Sequence, residues 1–162
     1  MRKILLKRKF IFLLSTLVIA SDQLSKIIAI QVLKEKQYLI LIPNLIQLRL
    51  VQNTGAAFSL FNKSTHILGF LSLSVSIGLI IWIWRSKSFL TFRGLGLSFL
   101  LGGCIGNGID RWRVGYVNDF LELIPINFPI FNLADIVINL AVICFFIEEL
   151  VKYKKKMPDQ PS

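Results

Sequence analysis

The sequence predicts a membrane α-helical fold: a four-transmembrane-helix bundle with a small extracytoplasmic β-sheet cradle, one domain over residues 1–162. Three observations predict it. The chain is 54% hydrophobic with a mean hydropathy of +0.66, too apolar for a soluble domain of this length. A bilayer core of ~30 Å takes a helix of about 20 apolar residues, and such stretches fall at 10–33, 66–84, 89–108 and 130–151. The basic residues, finally, gather in the segments that four crossings would place on one side.

The net charge of +10 raises the question of nucleic acid, and its placement answers it. Arg2, Lys3, Lys7, Arg8 and Lys9 precede the first span, Arg85, Lys87 and Arg93 follow the second, and Lys152, Lys154, Lys155 and Lys156 follow the fourth. Together they hold 12 of the 19 Lys and Arg. The positive-inside rule then puts both termini in the cytoplasm. Membrane lipids are the expected partners of these basic ends, and no nucleic acid is expected.

The first span begins like a secretory leader, with an apolar run from Phe10 to Ile19 and Ala20 before Ser21. The apolar pattern resumes at Ile27 and continues to Val32, so the segment reads as one full span. Asp22 and Lys26 interrupt it, four apart and so on one helical face. A charge near mid-bilayer costs at least ~2.5 kcal/mol, which makes an intramembrane pair a functional-site candidate. The bland alternative is an anchor at the outer interface.

Beyond span 1 the period changes from helical to alternating. Tyr38–Ile42 and Leu45–Gln52 flank Pro43-Asn44, with Leu48 and Leu50 alternating against Gln47 and Arg49. That pattern predicts two short strands around a turn, part of an outer cradle over about 37–60. Asn53-Thr-Gly-Ala-Ala-Phe-Ser59 follows, where Gly55 suits a tight turn and Asn53 is placed to hydrogen-bond the backbone around it.

Span 2 ends in Trp82 and Trp84, as an interfacial aromatic belt does. In span 3, Gly94, Ser98, Gly102 and Gly106 recur every fourth residue, a stripe that lets helices approach closely in lipid. A second stripe, Gly103, Asn107 and Arg111, ends in an amide and a guanidinium. It divides evenly between architecture and substrate handling, since a guanidinium fork suits a carboxylate or a lipid phosphate. Span 4 carries Asn132, Asp135 and Asn139 on one side of an apolar helix, a face that points into the bundle or a wet cavity. Asp119 lies upstream in Val117-Asn-Asp-Phe-Leu-Glu-Leu-Ile, read as an interfacial amphipathic piece of the outer loop. Cys104 and Cys144 fall inside spans and read as packing residues. With a single His, His66, read as interfacial, no metal-ligand spacing exists and no cofactor is expected.

Five segments resemble, in order, the motifs of the lipoprotein signal peptidase (signal peptidase II) family. They are Asp22-Gln-Leu-Ser-Lys26, Asn53–Ser59, Gly102-Gly-Cys-Ile-Gly-Asn-Gly-Ile-Asp-Arg111, Val117-Asn-Asp-Phe120 and Phe131-Asn-Leu-Ala-Asp135. The resemblance runs from about residue 20 to residue 140, and five motifs in order are far more specific than one. It implies a bacterial inner-membrane aspartic peptidase with its active site at the outer face. Such an enzyme removes the signal peptide from diacylglyceryl-modified prolipoproteins, cutting before the lipidated cysteine, and is blocked there by cyclic peptide inhibitors. Asp119 and Asp135 match the family's catalytic pair. Asn53, Asn107, Arg111, Asn132 and Ala134 match residues lining its site, and Asp22 and Lys26 a supporting polar pair. The chain departs from the pattern at Asn118 and Gly108, where apolar residues are commoner.

Two carboxylates held close cannot both ionise cheaply, so such a pair keeps one proton near neutral pH. One member then serves as general base toward water while the other donates a proton. Two rival readings stand beside this one. A small ion-coupled membrane transporter also needs intramembrane Asp, Asn and Arg, though no internal repeat links the two halves. A serine–lysine peptidase would use Ser25 with Lys26, or Ser59 with Lys63.

Overall fold

The protein, a computed structural model, is described over residues 5–55 and 65–156, with Lys155 and Lys156 described by backbone alone. Four long helices carry it: α1 (Arg8–Leu33), α2 (Thr65–Arg85), α3 (Thr91–Arg113) and α4 (Leu133–Lys156). Their outer faces are apolar, and polar side chains are buried among them beside the apolar core. Leu13, Leu17, Leu24, Ile67, Phe70, Val142 and Phe146 face outward, while Ser15, Asp22, Lys26, Ser98, Asn107 and Asn132 are buried. Such a surface suits hydrocarbon rather than water. By length and composition α1 and α2 are each able to cross a membrane. α3 and α4 are less apolar because they carry glycines, the polar site residues and, on α4, the charged end.

α3 is the central helix and packs against the other three. Its small residues make this possible. A Cβ on Gly102 would lie 2.5 Å from a Val18 methyl and 3.1 Å from the Ser15 carbonyl of α1. Ser15 donates its hydroxyl to the Ser98 carbonyl at 3.1 Å, so the expected stripe does face a neighbouring helix. Gly103 looks the other way: a Cβ there would lie 2.6 Å from Ile138 Cγ1 and 2.8 Å from the Ala134 carbonyl of α4. Backbone cannot yield as a side chain can. Gly103→Ala is therefore expected to lower stability by about 1–3 kcal/mol, read as a fall of several degrees in the thermal midpoint in detergent.

Among the described residues, two small antiparallel sheets accompany the helices. At one end β1 (Leu5–Lys7) pairs with β4 (Ser88–Leu90), with Leu6 opposite Phe89. This clip corrects the reading of residues 89 and 90 as the start of a span; α3 begins at Thr91 and runs on to Arg113, five residues past the expected end at 108. Beside the clip, Ile11, Leu79, Ile83, Phe89, Leu97 and Leu101 form the main apolar core.

At the other end β2 (Leu39–Ile42), β3 (Ile46–Asn53) and β5 (Val117–Leu123) form a sheet in the order β2-β3-β5. The first two are the expected hairpin. Its turn uses Asn44 at φ 59°, a left-handed conformation that Asn tolerates better than most residues. The third strand corrects the reading of 117–123 as an amphipathic interfacial piece. β3 and β5 pair from Ile46 opposite Leu123 to Asn53 opposite Val117, with a bulge between Leu48 and Val51. A bulge re-aims the side chains beyond it, and here those include Asn53.

Candidate active site

Asp119 sits in the buried stretch of β5, 2% exposed. Asn53 lies opposite Val117, so Asn53 and Asp119 are diagonal neighbours across the pair. Asn53 donates its amide to Asp119 Oδ2 at 2.9 Å, and its own Oδ1 accepts the Gly55 N–H at 2.9 Å. The turn expected around Gly55 is thus present, and it fixes the donor. The rest of that motif, Ala56–Ser59, lies outside the described residues.

Asp135 is placed by the way α4 begins. Asn132 precedes the helix, and its Oδ1 accepts the Asp135 N–H at 3.0 Å. Asp135 Oδ2 in turn accepts the Asn132 N–H at 3.1 Å. This reciprocal pair is a capping box with Asn and Asp in its two positions. Phe131, one residue earlier, exchanges backbone hydrogen bonds with Leu121 of β5 at 3.0 and 2.8 Å. The strand carrying Asp119 and the helix carrying Asp135 are therefore stitched together at their site ends.

Asn132 joins the two carboxylates directly. Its side-chain N–H donates to Asp119 Oδ1 at 2.6 Å while its backbone N–H holds Asp135. Asn107 of α3 completes the ring, donating to Asp135 Oδ1 at 2.8 Å and accepting from Asn132 at 3.0 Å. Burial pushes the Asp119 carboxyl up to about 6, and the negative charge of Asp135 adds to the shift. The hydrogen bonds from Asn53 and Asn132, and the charge of Lys26, pull the other way.

Beneath this pair lies a fully buried ionic cluster. Lys26 spends its three N–H groups on Asp22 Oδ2 at 2.8 Å, Asn107 Oδ1 at 3.0 Å and Asp110 Oδ2 at 3.1 Å. Asp22 Oδ1 accepts the Ala134 N–H at 3.0 Å, one of the free donors in the first turn of α4. Asp110 also accepts the Asn118 N–H at 3.2 Å, next to Asp119. Gln23 bridges Asp110 Oδ1 and the Gly106 carbonyl, both at 3.1 Å.

A sequence profile of the family described as Signal peptidase (SPase) II matches residues 14–151. The chain belongs to the signal peptidase II family. Among its relatives, the lipoprotein signal peptidase of Parasynechococcus marenigrum (strain WH8102) is 51% identical over 144 residues, covering 89% of this chain and 91% of that one. The one from Synechococcus sp. (strain RCC307) is 50% identical over 145 residues, covering 89% and 96%. The one from Gloeobacter violaceus is 40% identical, covering 89% and 83%. A bacterial membrane enzyme solved by the in meso method at 2.3 Å resolution superposes with a TM-score of 0.83 at 26% identity, covering 95% of each chain. A second, solved at 1.9 Å, gives a TM-score of 0.77 at 27% identity, over 88% of this chain and 93% of that one.

In this signal peptidase II chain the residues singled out in the sequence fall into three places. Asp119, Asp135, Asn53, Asn107 and Arg111 line one cavity of about 600 Å³, and Asn132 bridges its two carboxylates from behind. Arg111 reaches the Gly55 carbonyl at 3.1 Å, and its buried Nε has no hydrogen-bond partner among the described residues. Asp22, Lys26 and Ala134 belong to the supporting layer. Gly103 is where α3 meets α4. Away from its polar end the cavity is apolar, walled by Leu123, Phe128, Ile130, Ile136, Leu140 and Ile143.

Asp110 and Gln23 were not singled out as site residues in the sequence. Asp110 was hidden beside Arg111 in a glycine-rich motif, and nothing in the chain's spacing marks Gln23. The Ser25–Lys26 alternative has no geometric basis: Ser25 donates to the Asp22 carbonyl at 2.7 Å, and Lys26 is engaged elsewhere. Ser59 and Lys63 lie outside the described residues.

Proposed function

We propose that this chain is a membrane aspartic endopeptidase that removes the signal peptide from diacylglyceryl-modified prolipoproteins, cutting just before the lipidated cysteine. The observation that carries the reading is the double hold of Asn132 on Asp119 and Asp135. One residue orients two carboxylates, Asp119 buried and Asp135 half-buried, at the head of an apolar cavity. That arrangement favours a peptidase over an ion-coupled transporter, which has no need of a substrate-sized trough ending in a locked acid pair.

In the reaction the pair shares one proton. The ionised carboxylate takes a proton from a water whose oxygen attacks the carbonyl carbon preceding the lipidated cysteine. Its protonated partner gives a proton to the carbonyl oxygen. Collapse of the tetrahedral intermediate sends a proton to the cysteine nitrogen, which leaves as an amine. Neither carboxylate is assigned a fixed role, because the pair titrates as a unit. Asn107 and Asn132 hold the acids in place, and the Arg111 guanidinium, which lines the cavity, is a donor for the substrate backbone.

The setting proposed is a single domain of four membrane spans in the bacterial inner membrane, with both termini cytoplasmic and the site at the outer face. Exposed Tyr38, Ile40, Leu41, Leu45, Ile126 and Phe128 support a seat for the sheet on the membrane surface. The lipidated cysteine is held at that depth by its acyl chains, each buried CH₂ contributing about 0.8 kcal/mol. Cyclic peptide inhibitors of the family would occupy the same cavity.

The test is cleavage by the purified protein in detergent or nanodiscs. A diacylglyceryl-modified precursor is expected to be cut at least about 100-fold faster, in kcat/KM, than the same polypeptide without lipid. Equal rates on the two would overturn the reading.

A further inference from the structure

The mechanism leaves one polar group of the cavity unused. Asn139 lies one helical turn below Asp135 on α4, about 6 Å along the axis at 1.5 Å per residue, and lines the same cavity. It is exposed, and around it the wall is apolar: Ile136, Leu140 and Ile143. Its amide nitrogen donates to the Asp135 carbonyl at 2.9 Å. An amide has two N–H groups, so a second remains for a partner. A bare amide on an apolar, lipid-depth wall is costly unless something bonds it.

The bound substrate supplies a reason for it. A signal segment must satisfy its backbone inside the bilayer, so it enters as a helix. Water can attack only a carbonyl freed from that helix, so the helix has to end before the carboxylate pair. Its last four carbonyls then have no partner within the helix. They would lie just below the pair, at the depth of Asn139.

The geometry points to Asn139 as a substrate-binding residue that donates its second N–H to a backbone carbonyl at the end of the bound signal-segment helix. This rests on the peptidase reading of the cavity. The ligand chemistry is a carbonyl oxygen, which the ester links of the diacylglyceryl group also offer. The backbone is the assignment made here.

Steady-state kinetics on the full-length protein test it with Asn139→Leu, Asn139→Gln and Asp119→Asn as control. For Asn139→Leu, KM is expected to rise roughly three- to tenfold, the range for one hydrogen bond, with kcat within about twofold and the thermal midpoint unchanged. Asn139→Gln, which keeps an amide, should recover part of the loss. An ether-linked dialkyl substrate should show the same KM ratio as the ester-linked one. A ratio that collapses to one on the ether substrate assigns the ester carbonyl and overturns the backbone assignment. An unchanged KM for Asn139→Leu, or a fall confined to kcat, overturns the inference while an inactive Asp119→Asn leaves the peptidase reading standing. Near wild-type turnover by Asp119→Asn would instead sink the peptidase reading itself.

Discussion

Asp119→Asn and Asp135→Asn are each expected to lower kcat by roughly 10³-fold or more, since each removes one half of an acid–base pair that acts as a unit. Asn is nearly isosteric with Asp, so the packing around β5 and the head of α4 is kept. Wild-type activity should also depend on pH in a definite sense. The Asp119 carboxyl is raised to about 6, and the pair as a unit loses its remaining proton as pH rises through that range. The singly protonated pair is the competent form. Hence kcat/KM of the wild type should fall on the alkaline side, with a midpoint near 6, about tenfold per pH unit.

Stability should move the opposite way in the Asp119→Asn variant. A carboxyl whose folded pKa is raised destabilises the fold once ionised. The wild type carries that penalty as pH rises from the ordinary carboxylate range through about 6, and a neutral amide never does. Between pH 4 and pH 8 the variant should therefore gain about 1–3 kcal/mol of stability relative to the wild type. This comes on top of a pH-independent loss of one hydrogen bond, because its amide nitrogen cannot accept the N–H of Asn53 or Asn132. Thermal unfolding at the two pH values measures it. A variant that keeps near wild-type turnover would make that Asp structural. A variant that is inactive and unfolded would say nothing about chemistry, which is why stability is measured alongside rate.

How far the sequence foresaw this site depends on the kind of signal each part leaves. Helical spacing made the Asp22–Lys26 pair and the Asn132–Asp135 face legible, because both residues of each pair lie within four positions of each other. The small-residue stripe on α3 was legible for the same reason. β5 was not: Val117, Asn118, Asp119 and Phe120 are all buried, so the alternation that betrays a half-exposed strand is absent. The end of α3 was misjudged because Asp110, Arg111 and Arg113 lie beyond the apolar run, though the helix continues beneath them. The β1–β4 clip joins three-residue segments too short to carry any period. Asp110 and Gln23 meet across two helices, 87 positions apart in the chain. No local pattern records such a contact.

Lys26→Met is expected to have the second large effect, and through the fold as well as the reaction. Lys26 is the only cation that pairs with the buried carboxylates of Asp22 and Asp110 among the described ion pairs, at 2.8 and 3.1 Å. Met matches the length of the lysine stem but leaves two buried acids uncompensated, a loss of about 3–5 kcal/mol. Asp22 anchors the first turn of α4 through the Ala134 N–H, and Asp110 anchors β5 through the Asn118 N–H. Both carboxylate-bearing elements of the site therefore loosen together. Asn107 also loses the ammonium that fixes its Oδ1, and with it the orientation of the amide held to Asp135. Activity should fall by at least about 100-fold even at a temperature where the variant is folded. A change in pH dependence separates this role from simple destabilisation. The charge of Lys26 lowers the Asp119 pKa, so its removal should move the alkaline limb of the residual activity to higher pH. A folded Lys26→Met enzyme with the wild-type rate and pH profile would show that the cluster is a membrane-interface anchor, independent of the acid pair above it.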